Sequence, residues 1–309
     1  MTKAIATALS GVSLVAPTPF TESEEIAYED IGRIVDWAIA KGVRSLAVTG
    51  TMGEAFRLSD AERRSVVSEF CRCARGRVPV VAGVGHLSAV TVIDLARDLV
   101  RLGATYLLVP PPPIGAVTTE TVEAFYDSVA LAVDVPLIMQ DDPVNLGFAL
   151  APETVSRLAA RHPNIAYVKL EDLPSPPKIR RVRELTRDGV QCLGGSAGVY
   201  ALEELLAGAA GIMTGFSFPE ALVACADAYQ AGRASEARRF MEVGASLARV
   251  ESMPRISLSL RKHMYWKRSV LSTPVVRSPG IAADPWIVGL ALDELRRLEG
   301  AWIELVGDS

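Results

Sequence analysis

Asn164-Ile165-Ala166-Tyr167-Val168-Lys169-Leu170-Glu171-Asp172 sets a lysine at the far end of a short apolar run. Residues 165–168 have the length and composition of a buried strand, too short for a helix. Arginine supplies most of the positive charge in this chain, and the lysines are Lys3, Lys41, Lys169, Lys178, Lys262 and Lys267. Lys169 therefore needs a reason of its own. A primary amine that has lost its proton attacks a carbonyl carbon, which a guanidinium does not do, and apolar surroundings favour the neutral amine by desolvation. Lys169 is thus a candidate Schiff-base lysine. The ordinary alternative is a strand-end lysine whose stem packs while its head reaches water or pairs with Glu171 or Asp172.

Outward from that run, seven further segments read as strands, at 12–16, 45–48, 78–84, 105–109, 135–139, 190–193 and 211–214. Between them lie segments with apolar residues at helical spacing, including 28–40, 59–74, 89–102, 118–132 and 152–160. Ser59, followed by Glu62, has the form of a capping box. Gly42, Gly76, Gly103, Pro136, Pro163 and Gly189 punctuate the junctions. Strands alternating with helices call for parallel right-handed crossovers, and eight of them close most economically into a (β/α)8 barrel. A doubly wound open sheet is the alternative, but no Gly-x-Gly-x-x-Gly turn follows the first strand. The expected organisation is a barrel over residues 1–232, its ordered part starting near residue 8, and a C-terminal helical region over 233–309 packed on it.

Composition narrows the function classes. Of the 309 residues 50% are hydrophobic and 22% charged, which supplies a large core and excludes long disorder. A net charge of −4 without a long basic run argues against a nucleic-acid partner. Cys71, Cys73, Cys192 and Cys225 lack metal-ligand spacing and read as free thiols of a cytoplasmic protein, with no metal site expected. The apolar run after Lys3 resembles a signal peptide but reads as the lead into the first strand, and no run is long enough to span a membrane.

Barrel topology gathers the strand C-terminal ends on one face. That rule brings together Gly50-Thr51-Met52-Gly53-Glu54, Gly85-His86, Pro110 to Pro113, Gln140-Asp141-Asp142-Pro143, Lys169, Gly194-Gly195-Ser196 and Gly215-Phe216-Ser217. Gln140 and Lys169 end adjacent strands and should be neighbours. A glycine-rich turn bearing Thr51 offers N–H groups and a hydroxyl suited to a carboxylate, although Thr51 capping a helix is the plainer reading. His86 is either a proton carrier or a structural histidine bonded to loop backbone. Glu54 and Glu171 are expected to support loops.

Gly50-Thr51-Met52-Gly53-Glu54 is similar to the Gly-Thr-Thr-Gly-Glu turn of the dihydrodipicolinate synthase and N-acetylneuraminate lyase family. Val168-Lys169-Leu170-Glu171 is similar to that family's Schiff-base strand, and the two motifs come in the family's order. The catalytic tyrosine of its best-known members is replaced by Gln140, and an arginine of the synthases by Asn145. Gln140-Asp141-Asp142-Pro143, His86-Leu87-Ser88 and the segment from Gly208 to Gly215 resemble instead the branch that contains L-2-keto-3-deoxyarabonate dehydratase. The resemblance implies a TIM barrel, a covalent lysine Schiff base in place of any external cofactor, a small-molecule 2-keto acid substrate and a homotetramer. It implies Lys169, Gln140, Asp141 and His86 as catalytic residues, and Thr51, Met52, Gly53, Ser196 and Thr214 as substrate contacts. An iminium at Lys169 serves both dehydration and retro-aldol cleavage. Retro-aldol cleavage also needs a base for the C4 hydroxyl, which Gln140 cannot be. A dehydratase acting on a 2-keto-3-deoxy sugar acid is the expectation, with a pyruvate aldolase or condensing enzyme, or a non-catalytic barrel, as alternatives.

Overall fold

The computed structural model describes residues 8–113 and 117–307. Eight parallel strands close into a barrel in sequence order: β1 (Gly11–Val15), β2 (Ser45–Val48), β3 (Val80–Gly83), β4 (Tyr106–Val109), β5 (Leu137–Asp141), β6 (Ile165–Leu170), β7 (Gln191–Gly194) and β8 (Gly211–Thr214). Strands enclosed by a barrel and its helices are buried on both faces, which is why Tyr106-Leu107-Leu108-Val109 is apolar without alternation. The expected (β/α)8 architecture is the one observed.

Around the barrel run α1 (Tyr28–Ala40), α2 (Asp60–Ala74), α3 (Ala89–Arg101), α4 (Thr119–Ala132), the single turn α5 (Pro143–Leu146), α6 (Pro152–Arg161), α7 (Ser175–Thr186), α8 (Ala201–Leu206) and α9 (Pro219–Gln230). Each packs by an apolar stripe; in α3 the buried side chains Val92, Leu95, Ala96 and Leu99 recur at helical spacing. The Ser59 and Glu62 capping box opens α2 with both reciprocal hydrogen bonds in place.

Several strand limits differ from the sequence reading by one or two residues, and three of the differences have a physical reason. β6 continues through Lys169 to Leu170 and β5 through Gln140 to Asp141, because each has a neighbouring strand to bond along that length. β3 starts only at Val80, since Pro79 has no N–H to give to a ladder.

The tail contributes α10 (Ala234–Glu251), α11 (Ser257–Lys267) and α12 (Pro285–Gly307). It is not helical throughout, because residues 268–284 form an extended strap. Thr273 Oγ1 donates to the Phe20 carbonyl at 2.6 Å, and Ser272 N–H donates to Asp30 at 2.6 Å. A single apolar cluster runs from Leu9 through the strands to Leu298, so barrel and tail share one core. Of the tail's aromatic residues, Tyr265 is fully buried and Trp302 packs edge-on against Phe218 and at a tilt against Phe240. Trp266 remains exposed, joined by Trp286 and Ile303 on α12. No helix among the described residues is long and apolar enough to cross a membrane, and the four cysteines are free thiols. The expected N-terminal run before residue 8 lies outside the described residues.

Candidate active site

Strand alternation decides which side chains enter the barrel mouth. Gln140 and Lys169 are register partners on β5 and β6 and face the same way, as their order predicts. Continuing each strand by two residues puts Asp142 and Glu171 on that same inner face, and leaves Asp141 and Leu170 facing outward. Lys169 Nζ lies 2.8 Å from Glu171 Oε2. Gln140 Nε2 donates to the same oxygen at 3.1 Å. Gln140, Asp142 and Lys169 are all buried. The neighbour of the lysine head is therefore a carboxylate, the Glu171 that the ordinary alternative named as its partner, while the apolar surroundings of the Schiff-base reading hold only for its stem. Glu171, expected to brace a loop, joins the two residues that were expected to do the chemistry.

Asp142 lies beside Glu171, and its carboxyl is raised from the ordinary value, first by burial and then by the Glu171 charge. Asn145 opposes that shift by donating to it, at 2.7 Å from Nδ2 and 3.3 Å from its backbone N–H.

Asp141 is a correction to the sequence reading. It faces the helical layer, where Lys178 Nζ reaches it at 2.6 Å and the Leu150 N–H donates to it at 2.8 Å. Burial raises its carboxyl while Lys178 pulls it back. A side chain so enclosed has no path to a substrate in the mouth. Thr214 is corrected for the same reason: it is the register partner of Leu14, one residue past the inward-facing Met213. It turns out toward Gly198, and its hydroxyl accepts from the Phe216 N–H at 3.3 Å.

Glycines admit Glu171 to its place. A Cβ at Gly195 would stand 2.4 Å from Glu171 Cγ, and one at Gly194 would stand 2.0 Å from Glu204 Oε2. Glu204, on α8, accepts from Ser175 Oγ at 2.6 Å, and burial raises its carboxyl to about 7. Ser196 Oγ reaches the Glu171 carbonyl at 3.4 Å, so Ser196 borders this cluster.

The turn after β2 closes through Glu54 N–H to Thr51 O at 3.1 Å, and Thr18 Oγ1 donates to Gly53 O at 2.6 Å. Gly53 is required, because a Cβ there would meet Thr49 N at 2.7 Å. The N–H groups of Thr51, Met52 and Gly53 donate to no other described residue. Thr51 and Gln140 line one cavity of about 10 Å³, with Phe56, Leu108, Pro110 and Leu146. The plainer reading of Thr51 does not hold, since Ser59 is the residue that caps α2. Met52 is buried, packed on Gly215, whose added Cβ would lie 2.8 Å from Met52 Cγ.

His86 sits apart from this group. Its Nδ1 accepts from the Leu87 N–H at 2.9 Å, and its Nε2 is 3.9 Å from Asp60 at the start of α2. The structure thus brings Lys169, Gln140, Glu171 and Asp142 together, with Thr51 across the Gln140 cavity, and leaves His86 on the rim.

Comparison with known proteins agrees with this fold. A model of the dihydrodipicolinate synthetase family matches residues 8–283. The chain is 32% identical over 236 residues to L-2-keto-3-deoxyarabonate dehydratase of Azospirillum brasilense, covering 74% of each protein. It is 31% identical to 4-hydroxy-tetrahydrodipicolinate synthase of Alcanivorax borkumensis, covering 74% of this chain and 78% of that one. Among solved structures, dihydrodipicolinate synthase from Rhodopseudomonas palustris superposes with a TM-score of 0.88 at 29% identity, over 94% of this chain and 97% of that chain.

Proposed function

The chain belongs to the dihydrodipicolinate synthetase family of lyases, and from that premise we propose a Schiff-base-forming dehydratase that acts on a 2-keto-3-deoxy sugar acid, such as 2-keto-3-deoxyarabonate. One observation carries the reading: Glu171 Oε2 bridges Lys169 Nζ and Gln140 Nε2 where a tyrosine relay would otherwise be needed.

In the first step Lys169 passes a proton to Glu171 and its nitrogen adds to C2 of the substrate. Glu171 returns that proton to the C2 oxygen and then carries a second one to it from the adding nitrogen, so the oxygen leaves as water and an iminium remains. The iminium acidifies C3, and Glu171 removes a C3 proton to give the enamine. The enamine pair then expels the C4 hydroxyl, which takes the proton held by Glu171 and departs as a second water. Water finally hydrolyses the unsaturated iminium and frees Lys169. Gln140 orients Glu171 and donates to a substrate hydroxyl, and the free N–H groups of Thr51 to Gly53 receive the substrate carboxylate. No external cofactor enters these steps.

A second reading has support in the same carboxylate. Glu171 is a base, so it could take the C4 hydroxyl proton and cleave C3–C4, releasing an aldehyde and pyruvate. Incubating C5 and C6 2-keto-3-deoxy acids with the protein separates the two. A semialdehyde or other dehydrated 2-keto acid supports dehydration, and Lys169-dependent release of pyruvate overturns it in favour of the aldolase. Borohydride with pyruvate, followed by intact mass, tests the Schiff base itself. The absence of any adduct would leave a non-catalytic barrel. We also propose a homotetramer, for which the exposed Trp266, Trp286 and Ile303 supply apolar surface.

A further inference from the structure

The turn that would receive the carboxylate is fastened from the C-terminal tail. Glu54 ends that turn with φ 55° and ψ 35°, a left-handed conformation that a side chain bearing a Cβ adopts only when its surroundings impose it. Three groups impose it. Glu54 Oε2 accepts from Arg57 Nη1 at 2.9 Å and from the Arg277 N–H at 3.0 Å. Its Oε1 lies 2.5 Å from Lys262 Nζ, and both side chains are wholly removed from solvent. Lys262 also donates to the Val275 carbonyl at 2.7 Å and stands 4.4 Å above the Phe20 ring. Arg277 lies at the same distance from that ring and donates to the Glu24 carbonyl at 2.6 Å.

A buried ion pair is no better for stability than well-packed apolar residues of equal volume, so its presence calls for another cause. Position is such a cause. Ammonium and carboxylate meet in one geometry, whereas apolar side chains slide.

We propose that the Lys262–Glu54 pair is a positioning device for substrate carboxylate recognition, holding the backbone of Thr51 to Gly53 in the shape that presents its N–H groups. The inference rests on reading that turn as the carboxylate site. Neither residue touches the reacting atoms. Both act through the turn.

The test uses the full chain with Lys262→Met, and with the double change Lys262→Met and Glu54→Gln, which removes both charges of the buried pair and leaves Arg57, itself partly open to water, without its carboxylate. Hydrogen exchange read by mass spectrometry is expected to accelerate over residues 50–57 in both variants. Borohydride trapping is then run against pyruvate and against acetone, a ketone without a carboxylate. The expected result is a half-saturating pyruvate concentration raised by about tenfold or more, with acetone trapping changed less than about threefold. Equal losses for the two ketones, or exchange unchanged over 50–57, would overturn the positioning role. No adduct in the wild-type protein would instead refute the Schiff-base reading, and the exchange result would then decide the tie by itself.

Discussion

Glu171 Oε2 accepts from Gln140 and pairs with Lys169 Nζ at 2.8 Å, so one carboxylate oxygen faces both side chains. In the proposed mechanism that oxygen takes the Lys169 proton without a relay and carries the proton transfers that the sequence left without an owner.

Replacing Glu171 by Gln keeps the shape and removes the base. Turnover of the 2-keto-3-deoxy acid should fall by about 10²- to 10⁴-fold, with KM nearly unchanged. Lys169→Ala should abolish turnover and trapping together. Steady-state kinetics with borohydride trapping checks both, and a loss under about tenfold in Glu171→Gln would remove it from the proton path.

Asp141→Asn separates structure from chemistry. Its side chain is fully buried against Lys178, so removing that charge leaves the lysine paired with Asp172 alone, at 2.8 Å. Losing a hydrogen bond to a charged group costs about 1.5–3 kcal/mol, so the thermal midpoint should drop while kcat of the folded protein holds. A large fall in kcat without loss of stability would return Asp141 to the mouth.

Thr51→Val removes a hydroxyl from the turn and leaves its N–H groups in place. KM should rise by about 10- to 100-fold, the equivalent of about 1.5–3 kcal/mol for a hydrogen bond to a charged group, with kcat little altered. An unchanged KM would show that the carboxylate binds elsewhere.

The fold was legible because enclosed parallel strands are apolar on both faces and glycine or proline marks their ends. Lys169 and Gln140 were legible too, one by residue type and the other by strand order. Ending β6 at Val168 hid the alternation that carries Lys169 to Glu171, whereas Asp141 and Thr214 were taken from the resemblance, and strand alternation turns both out of the mouth. Lys262 offered a weaker signal, as one of few lysines in an arginine-rich chain. Its contact with Glu54 joins distant segments, and no local pattern foretells such a meeting.

Glu204 gives stability a pH dependence. The ordinary carboxyl ionises near 4.5, whereas in the folded protein burial holds the proton up to about 7. The folded state keeps a proton between those values, so the stability it brings is complete below the lower one and lost as pH rises through the upper one. Glu204→Gln keeps a neutral side chain at every pH. From pH 5 to 8 its melting temperature should gain on wild type, by up to on the order of 3 kcal/mol in stability. A constant difference across that range refutes this account.

Multi-angle light scattering at micromolar concentration should give four times the 33.0 kDa chain mass. A mass near one chain would refute the tetramer.

The strap over residues 268–284 has a consequence for how such a gene can change. Recombination at the junction of α9 and α10 would separate Glu54 from Lys262 and from the Arg277 N–H, and leave it Arg57 alone. The tail is thus co-inherited with the mouth. A hybrid that takes its barrel from one parent and its last three helices from another has to match them at Lys262, Val275 and Arg277 to keep these contacts.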